Sequence, residues 1–451
     1  MSEASYIKDT IVARATPPGT GGIAVVRISG PLVPAIAKGM LGSLPPQRQA
    51  TFRTFRGADG QMLDRGIAIY FAAPHSFTGE DVLELHGHGG PLVVSGLVDA
   101  AVGLGARRAG PGEFSKRAFL NDRLDLAQAE AIADLIASGS SQAARAALRS
   151  LSGAFSQAVD ELQEKLEKLR MHVEAAIDFP EEEIDFLCDE ALRARVAECA
   201  QAFQTLRNNA GAGRVLRDGY RAVIVGRPNA GKSSLLNLLS GQEAAIVTEV
   251  AGTTRDILRE QINIDGLLVE LVDTAGLRCD PDRIEAEGIR RAREALREAD
   301  AILWIQDARD SSDTALALDD DLPADVPLVV VRNKIDLTAD APGLRRGQPR
   351  SVSISARTGA GIEALRTLIR ELAGYRDLGE GAFTARRRHL DALDRACGHF
   401  EAGCDALDKA KAGELLAEEL RLSQRALGEI TGAGCSDDLL GRIFSEFCIG
   451  K

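Results

Sequence analysis

The residues best suited to chemistry lie between positions 226 and 357. Gly226 to Ser233 spell G-x-x-x-x-G-K-S directly after the apolar run A-V-I-V-G. In such a pattern the glycines let backbone N–H groups turn towards phosphate oxygens, and the following helix presents its positive end. Lys232 would reach the β- and γ-phosphates and Ser233 a Mg2+ ion, with Asn229, Ala230, Gly231 and Ser234 completing the phosphate contacts. Asp273, Thr274, Ala275 and Gly276 follow L-L-V-E-L-V, so Asp273 ends a strand where it can hold Mg2+ through water while the Gly276 N–H senses the γ-phosphate. Asn333, Lys334 and Asp336 form N-K-I-D after another apolar run. That motif selects the base: the Asp336 carboxylate accepts hydrogen bonds from the N1–H and N2–H edge of guanine, and adenine has no N1–H to give. Ser355, Ala356 and Arg357 follow S-V-S-I, where a backbone N–H can meet the guanine O6. Four motifs in this order point to a site for GTP and GDP.

Between the first two motifs, Gly252 to Asp256 read G-T-T-R-D. A loop there would bring the Thr254 hydroxyl to Mg2+ and fold around the γ-phosphate, with Thr248 and Thr253 in the same segment. Leu277 follows D-T-A-G. An aliphatic chain cannot orient water, so hydrolysis must use another group, and the acidic stretch from Asp280 to Glu287 offers candidates.

Elements to carry these residues are legible on either side. Residues 1–118 mix β-like runs (Ile23 to Ile28, Gly66 to Phe71, Val82 to His86) with turns and a helical stretch near Pro91 to Val102, an α+β texture. Residues 119–216 turn helical, with Val159, Leu162, Leu166, Leu169 and Val173 at 3/4 spacing and Leu192, Val196, Cys199, Phe203 and Leu206 likewise. Residues 217–375 alternate strands with helices, and 376–451 return to helix. The expected fold is multidomain: an α+β N-terminal domain, a discontinuous α-helical domain, and a P-loop α/β GTPase domain inserted into it. A length of 451 residues fits about three domains.

A net charge of −12 supplies no overall basic excess to drive binding to nucleic acid, and 4% aromatics argue against a run of base-stacking platforms, so any RNA contact must be local or assisted. Seven cysteines without C-x-x-C pairs read as a reduced protein, and neither a leader nor a membrane-length apolar run is present, so the expectation is a cytoplasmic chain without membrane contact. His86 and His88 make a metal pair only with a third ligand, and Cys448 reads either as a nucleophile or redox thiol or as a small part-buried side chain.

T-P-P-G-T-G-G at 16–22, R-I-S-G at 27–30, F-T-G-E-D at 77–81, H-G-H-G-G at 86–90, P-G-E-F at 111–114, R-A-F-L-N-D at 117–122 and C-I-G-K at 448–451, together with the nucleotide motifs, resemble the MnmE (TrmE) family of tRNA-modifying GTPases. The resemblance implies an N-terminal domain that forms a homodimer and binds a folate, 5-formyltetrahydrofolate or methylenetetrahydrofolate. It also implies a flavoprotein partner, MnmG, in a heterotetramer that installs an aminomethyl-type group on C5 of the tRNA wobble uridine. Carried over to this chain, the folate residues are Arg27, Glu84, Arg123 and Lys451, with Arg123 standing where Lys is expected. Glu285 becomes the residue that positions or activates water, and Asn229, Thr248, Val250 and Thr253 become ligands of a K+ ion. An Arg finger from Arg255 or Arg278 is the rival to that ion. Two other functions stay open: a GTP-dependent assembly switch, and a one-carbon transferase merely regulated by the GTPase.

Overall fold

The computed structural model describes residues 9–178, 190–227, 229–240, 259–265, 267–273, 296–310, 323, 326–345, 347, 349–374, 382–410, 412–447 and 449–450. The chain divides into two compact units, Met1–Ala133 with Gly428–Lys451, and Asp134–Leu427.

The first unit is built on a six-stranded sheet in the order β3-β4-β5-β2-β1-β6. Its strands are β1 (Ile11–Arg14), β2 (Gly21–Ser29), β3 (Thr51–Arg56), β4 (Met62–Phe71), β5 (Val82–Gly89) and β6 (Arg107–Arg108). All pairings are antiparallel except β1 with β6. Period-2 alternation gives the sheet one apolar face. Val26, Ile28, Ala68, Leu83 and Leu85 bury there against α1 (Val33–Leu41) and α2 (Pro91–Gly103).

Beyond the sheet, α3 (Glu113–Leu120) and the start of α4 (Leu126–Ala137) meet the C-terminal helix α12 (Asp437–Ser445), where Phe119, Leu126, Ala129, Leu440, Ile443, Phe444 and Phe447 pack together. Gly112 sits at φ +61, and a Cβ there would come within 2.6 Å of the Phe444 carbonyl, so glycine permits this approach. The segment 428–451 thus belongs with the N-terminal unit, whereas α10 (Arg387–Ala410) packs on the earlier helix α7 (Glu190–Asp218) in the second.

In the second unit α5 (Ser141–Leu151) and α6 (Ala154–Asp178) pack on α7, α11 (Gly413–Thr431) follows α10 along the chain, and Val159, Leu162, Leu166, Leu169 and Val173 are all buried as their spacing requires. Then comes a seven-stranded sheet in the order β12-β13-β11-β10-β7-β9-β8. It is made of β7 (Tyr220–Gly226), β8 (Arg259–Ile264), β9 (Leu267–Asp273), β10 (Ala301–Asp307), β11 (Leu328–Asn333), β12 (Gly343–Arg345) and β13 (Arg350–Ser353). The five central strands are parallel, and the edges β8 and β12 run antiparallel. Helices α8 (Lys232–Ser240) and α9 (Ile362–Leu372) cover it, Leu235, Leu236, Leu365 and Ile369 joining its core.

The chain enters and leaves this α/β block at neighbouring points. Gly213 on α7 packs so closely that a Cβ would lie 2.2 Å from the Phe383 carbonyl, and the Thr384 N–H donates to the Ser150 hydroxyl at 2.9 Å. Buried Asp134 accepts from Arg217 near the end of α7, where the chain enters the block (2.8 Å), and from Arg386, where it leaves (2.7 Å). Such proximity of ends is what an inserted domain requires.

Candidate functional site

In a parallel sheet, ligands bind beyond the carboxyl ends of the strands where the strand order reverses. That point here is β7, flanked by β9 on one side and β10 on the other. From its end the chain turns through Arg227, Asn229, Ala230 and Gly231 into α8. Asn229 is held at φ +65 and Gly231 at φ +96. A Cβ on Gly231 would lie 2.2 Å from the Asn333 side-chain nitrogen, so the loop closes against the N-K-I-D segment only because that residue is glycine.

Lys232 is 7% exposed and folds over the loop, its ammonium donating to the carbonyls of Gly226 (2.8 Å) and Arg227 (3.0 Å). The ammonium is thereby held at the loop, where phosphate oxygens of a bound nucleotide could reach it. Ser233 and Ser234 lie exposed in the first turn of α8.

The base end of the site is organised by Asn333, buried at the end of β11. Its amide donates to the Ala230 carbonyl at 2.9 Å, and its oxygen accepts from the Ala356 N–H at 2.9 Å. Asp336 lies in the short turn Ile335–Leu337, its Oδ1 accepting from the Ser355 hydroxyl at 2.7 Å and its Oδ2 lying 3.6 Å from Arg357. Lys334, at φ +68, reaches across to the Asn229 carbonyl at 2.5 Å and to the Asp307 carboxylate at 2.9 Å. Asp307 ends β10 and also accepts from Arg309, at 3.0 Å and 2.7 Å. The Arg309 guanidinium, helped by Lys334 and opposed by partial burial, holds the Asp307 carboxyl far below the usual carboxylate range. Asp307 was missed from sequence, although it closes A-I-L-W-I-Q-D as Asp273 closes L-L-V-E-L-V-D.

The structure therefore brings together Asn229, Ala230, Gly231, Lys232, Asn333, Lys334, Asp336, Ser355, Ala356 and Arg357. Asp273 is placed by its backbone at the end of β9, beside β7. Thr248, Val250, Thr253, Thr254, Thr274, Ala275, Gly276 and Glu285 lie outside the described residues, as do the rival Arg255 and Arg278.

The first unit holds the second cluster. Register pairs Arg27 on β2 with Glu84 on β5, and the guanidinium meets the Glu84 carboxylate at 2.9 Å and 2.8 Å. His86 lies 3.2 Å from the other oxygen of Glu84, and the Arg27 guanidinium stands over the rings of Phe77 (5.6 Å) and Phe114 (5.8 Å). Arg123 is exposed and packs beside Gly79 in the same F-T-G-E-D turn. Lys451 and Cys448 lie outside the described residues, but the chain just before the end is fixed, with Ile449 bridging Pro111 and Gly450 against the Arg14 carbonyl. His88 pairs with Asp64 at 2.8 Å, and among the described residues no group of three or more His, Cys, Asp or Glu could hold a metal ion.

Residues 126–448 match the family model described as the MnmE helical domain, and residues 10–123 match that described as the GTP-binding protein TrmE N-terminus. The chain is 58% identical over 445 residues to the tRNA modification GTPase MnmE of Alkalilimnicola ehrlichii, covering 98% of this chain and 100% of that protein. It is 56% identical to the protein of the same name from Stutzerimonas stutzeri, covering 98% and 99%. The counterpart from Vibrio cholerae is 53% identical at 98% and 99% coverage.

Proposed function

The chain belongs to the family of tRNA modification GTPases called MnmE, and from that premise we propose that its GTP hydrolysis drives modification of the wobble uridine at C5, using a folate one-carbon unit and a flavoprotein partner, MnmG. The observation that supports this most is the shared anchoring by Asn333 of the loop that carries Lys232 and of the segments that carry Asp336 and Ala356.

Lys232 and the loop amides bind the phosphates, Asp336 reads the guanine edge, and Ser355 steadies the Asp336 carboxylate. Ser233, exposed at the first turn of α8, would hold Mg2+ with Thr254, and the ion would offset phosphate charge. Asn229, exposed and with its carbonyl pinned by Lys334, would hold K+ with Thr248, Val250 and Thr253, adding positive charge near the β–γ bridge. Glu285 positions the attacking water in place of Leu277.

Arg27 and Glu84 suit a folate, since a carboxylate matches the pterin edge and cations match its glutamate tail; Arg123 and Lys451 would complete the set. The bound folate would supply the one-carbon unit, and Arg27, Glu84 and the two phenylalanines would orient it. We assign residues 1–118 to folate binding and homodimerisation, 119–216 and 376–451 to the helical domain, and 217–375 to the GTPase. Among the described residues no helix is long and apolar enough to cross a membrane; the proposed site of action is the cytoplasm, on tRNA in a heterotetramer with MnmG.

The test is mass spectrometry of tRNA nucleosides from a strain lacking this chain. Loss of the C5 substituent at the wobble uridine supports the reading, and an unchanged nucleoside profile rejects it.

A further inference from the structure

Asp307 bonds to neither Lys232 nor Asp336, yet it is tied to Lys334, which links their two segments. Lys334 starts in the guanine-reading segment, two residues before Asp336, and its ammonium ends on the Asn229 carbonyl of the phosphate loop. The four-carbon stem of Lys334 therefore runs from the N-K-I-D segment to the phosphate loop, where it would wall a bound nucleotide. A free lysine stem samples many rotamers, and immobilising it on nucleotide binding would cost affinity. One carbonyl is a modest anchor for an ammonium, whereas a carboxylate that itself cannot move is a strong one.

Asp307 meets that requirement. It is fixed at the end of β10, where register pairs it with Asn333, so its carboxylate lies beside the next residue, Lys334. Its side chain is 12% exposed, which limits solvent screening of the pair. Arg309 grips the same carboxylate through Nε and Nη2, and the Arg309 backbone N–H adds a third bond at 3.1 Å. The carboxylate is thus oriented before any ligand arrives.

We propose that Asp307 is a positioning residue for nucleotide binding, its Arg309-braced carboxylate holding the Lys334 ammonium on the Asn229 carbonyl so that this wall of the nucleotide site is preformed. This rests on the guanine-nucleotide reading of the site and adds a residue to it. Because Asp307 contacts neither the base edge nor the γ-phosphate, its effect is the same for GDP and GTP.

The experiment is the dissociation rate of a fluorescent GDP from the full-length chain, measured for wild type, Asp307→Asn, Lys334→Met and the double variant. Asn is isosteric with Asp, and Met keeps a stem while removing the ammonium. About tenfold faster release is expected for each single variant, and no further acceleration in the double, because both remove one shared contact. Arg309→Ala, at an exposed position, removes the brace without touching the carboxylate and should speed release by a smaller factor; it carries the test if Asp307→Asn does not fold. A merely structural role for Asp307 would instead multiply the two effects to about a hundredfold, and that result overturns the proposal. Unchanged release in Asp307→Asn beside fast release in Lys334→Met overturns it as well while sparing the site. Unchanged release in Lys334→Met overturns the proposal too, whereas failure of the wild-type chain to bind fluorescent GDP at all would remove the guanine-site reading itself.

Discussion

The side-chain amide of Asn333 donates to the backbone carbonyl of Ala230 across 103 residues of sequence. This bond ties the loop 226–231 to the N-K-I-D segment, so the two ends of the proposed nucleotide site are anchored to each other.

Removing that clamp should loosen both ends at once. Asn333→Ala strands the Ala230 carbonyl and the Ala356 N–H, each at about 1–3 kcal/mol. Titration calorimetry should show GTP and GDP affinity falling at least tenfold together. A loss confined to one of the two nucleotides would contradict the clamp.

A pH dependence follows from Arg117, 2% exposed in the first unit and bound to Asp9, Glu80 and Glu113. Burial pushes the Asp9 and Glu113 carboxyls up, but Arg107 and Arg117 outweigh it, so both lie below their usual values. Depressed carboxyls mean that the unfolded chain binds more protons in acid. Their contribution is therefore full above about pH 4–5 and lost as pH falls through the folded values. The thermal midpoint should hold between neutral pH and about pH 5 and drop below that. Arg117→Met should lower the midpoint at neutral pH, by about 3–5 kcal/mol of stability, and flatten the acid drop. Because Arg107 also depresses both carboxyls, the deciding variant is Arg107→Met with Arg117→Met, and an unaltered acid slope in that double variant would place the titrating groups elsewhere.

Glu84→Gln keeps an acceptor for Arg27 but removes the charge that faces it and His86. Affinity for 5-formyltetrahydrofolate, followed by quenching of intrinsic fluorescence in the full-length chain, should fall tenfold or more. Wild-type affinity would take the folate out of this pocket.

Hydrolysis should depend on the monovalent cation. Replacing K+ with Na+ at equal ionic strength should lower kcat sharply, and Asn229→Ala should abolish the difference between the two ions. Equal rates in both salts, with activity lost only in Arg255→Ala or Arg278→Ala, would replace the cation by an Arg finger.

The nucleotide site was legible because its chemistry is local: Lys232, Asn333 and Asp336 each follow an apolar strand within a few residues, and strand-then-loop is a sequence pattern. Asp307 has the same strand-end position but no motif, and its partner Lys334 is 27 residues away. The pairing of Arg27 with Glu84 spans 57 residues and depends on strand register, so only family resemblance pointed to it. F-T-G-E-D and P-G-E-F each supply a carboxylate, Glu80 and Glu113, to buried Arg117, a convergence of distant segments that no local pattern announces. Helical periodicity showed which face of the terminal helix is apolar, through Leu440, Ile443 and Phe444, but not that the face would seat against Phe119 and Leu126. A stripe specifies burial and leaves the partner open.

One substitution at Asp336 separates guanine nucleotide turnover from every other part of the chain, and so tests the proposed link to wobble-uridine modification. The most direct measurement is mass spectrometry of tRNA nucleosides from a strain whose only copy of this chain carries Asp336→Asn, alongside hydrolysis assays of that purified variant. Asn should exchange guanine for xanthine recognition, because its amide donates to the 2-oxo group. The expected variant hydrolyses xanthosine triphosphate but not GTP at cellular concentrations, in cells whose wobble uridines lack the C5 group. Full wobble modification in that strain, with the variant unable to use GTP, would contradict the link.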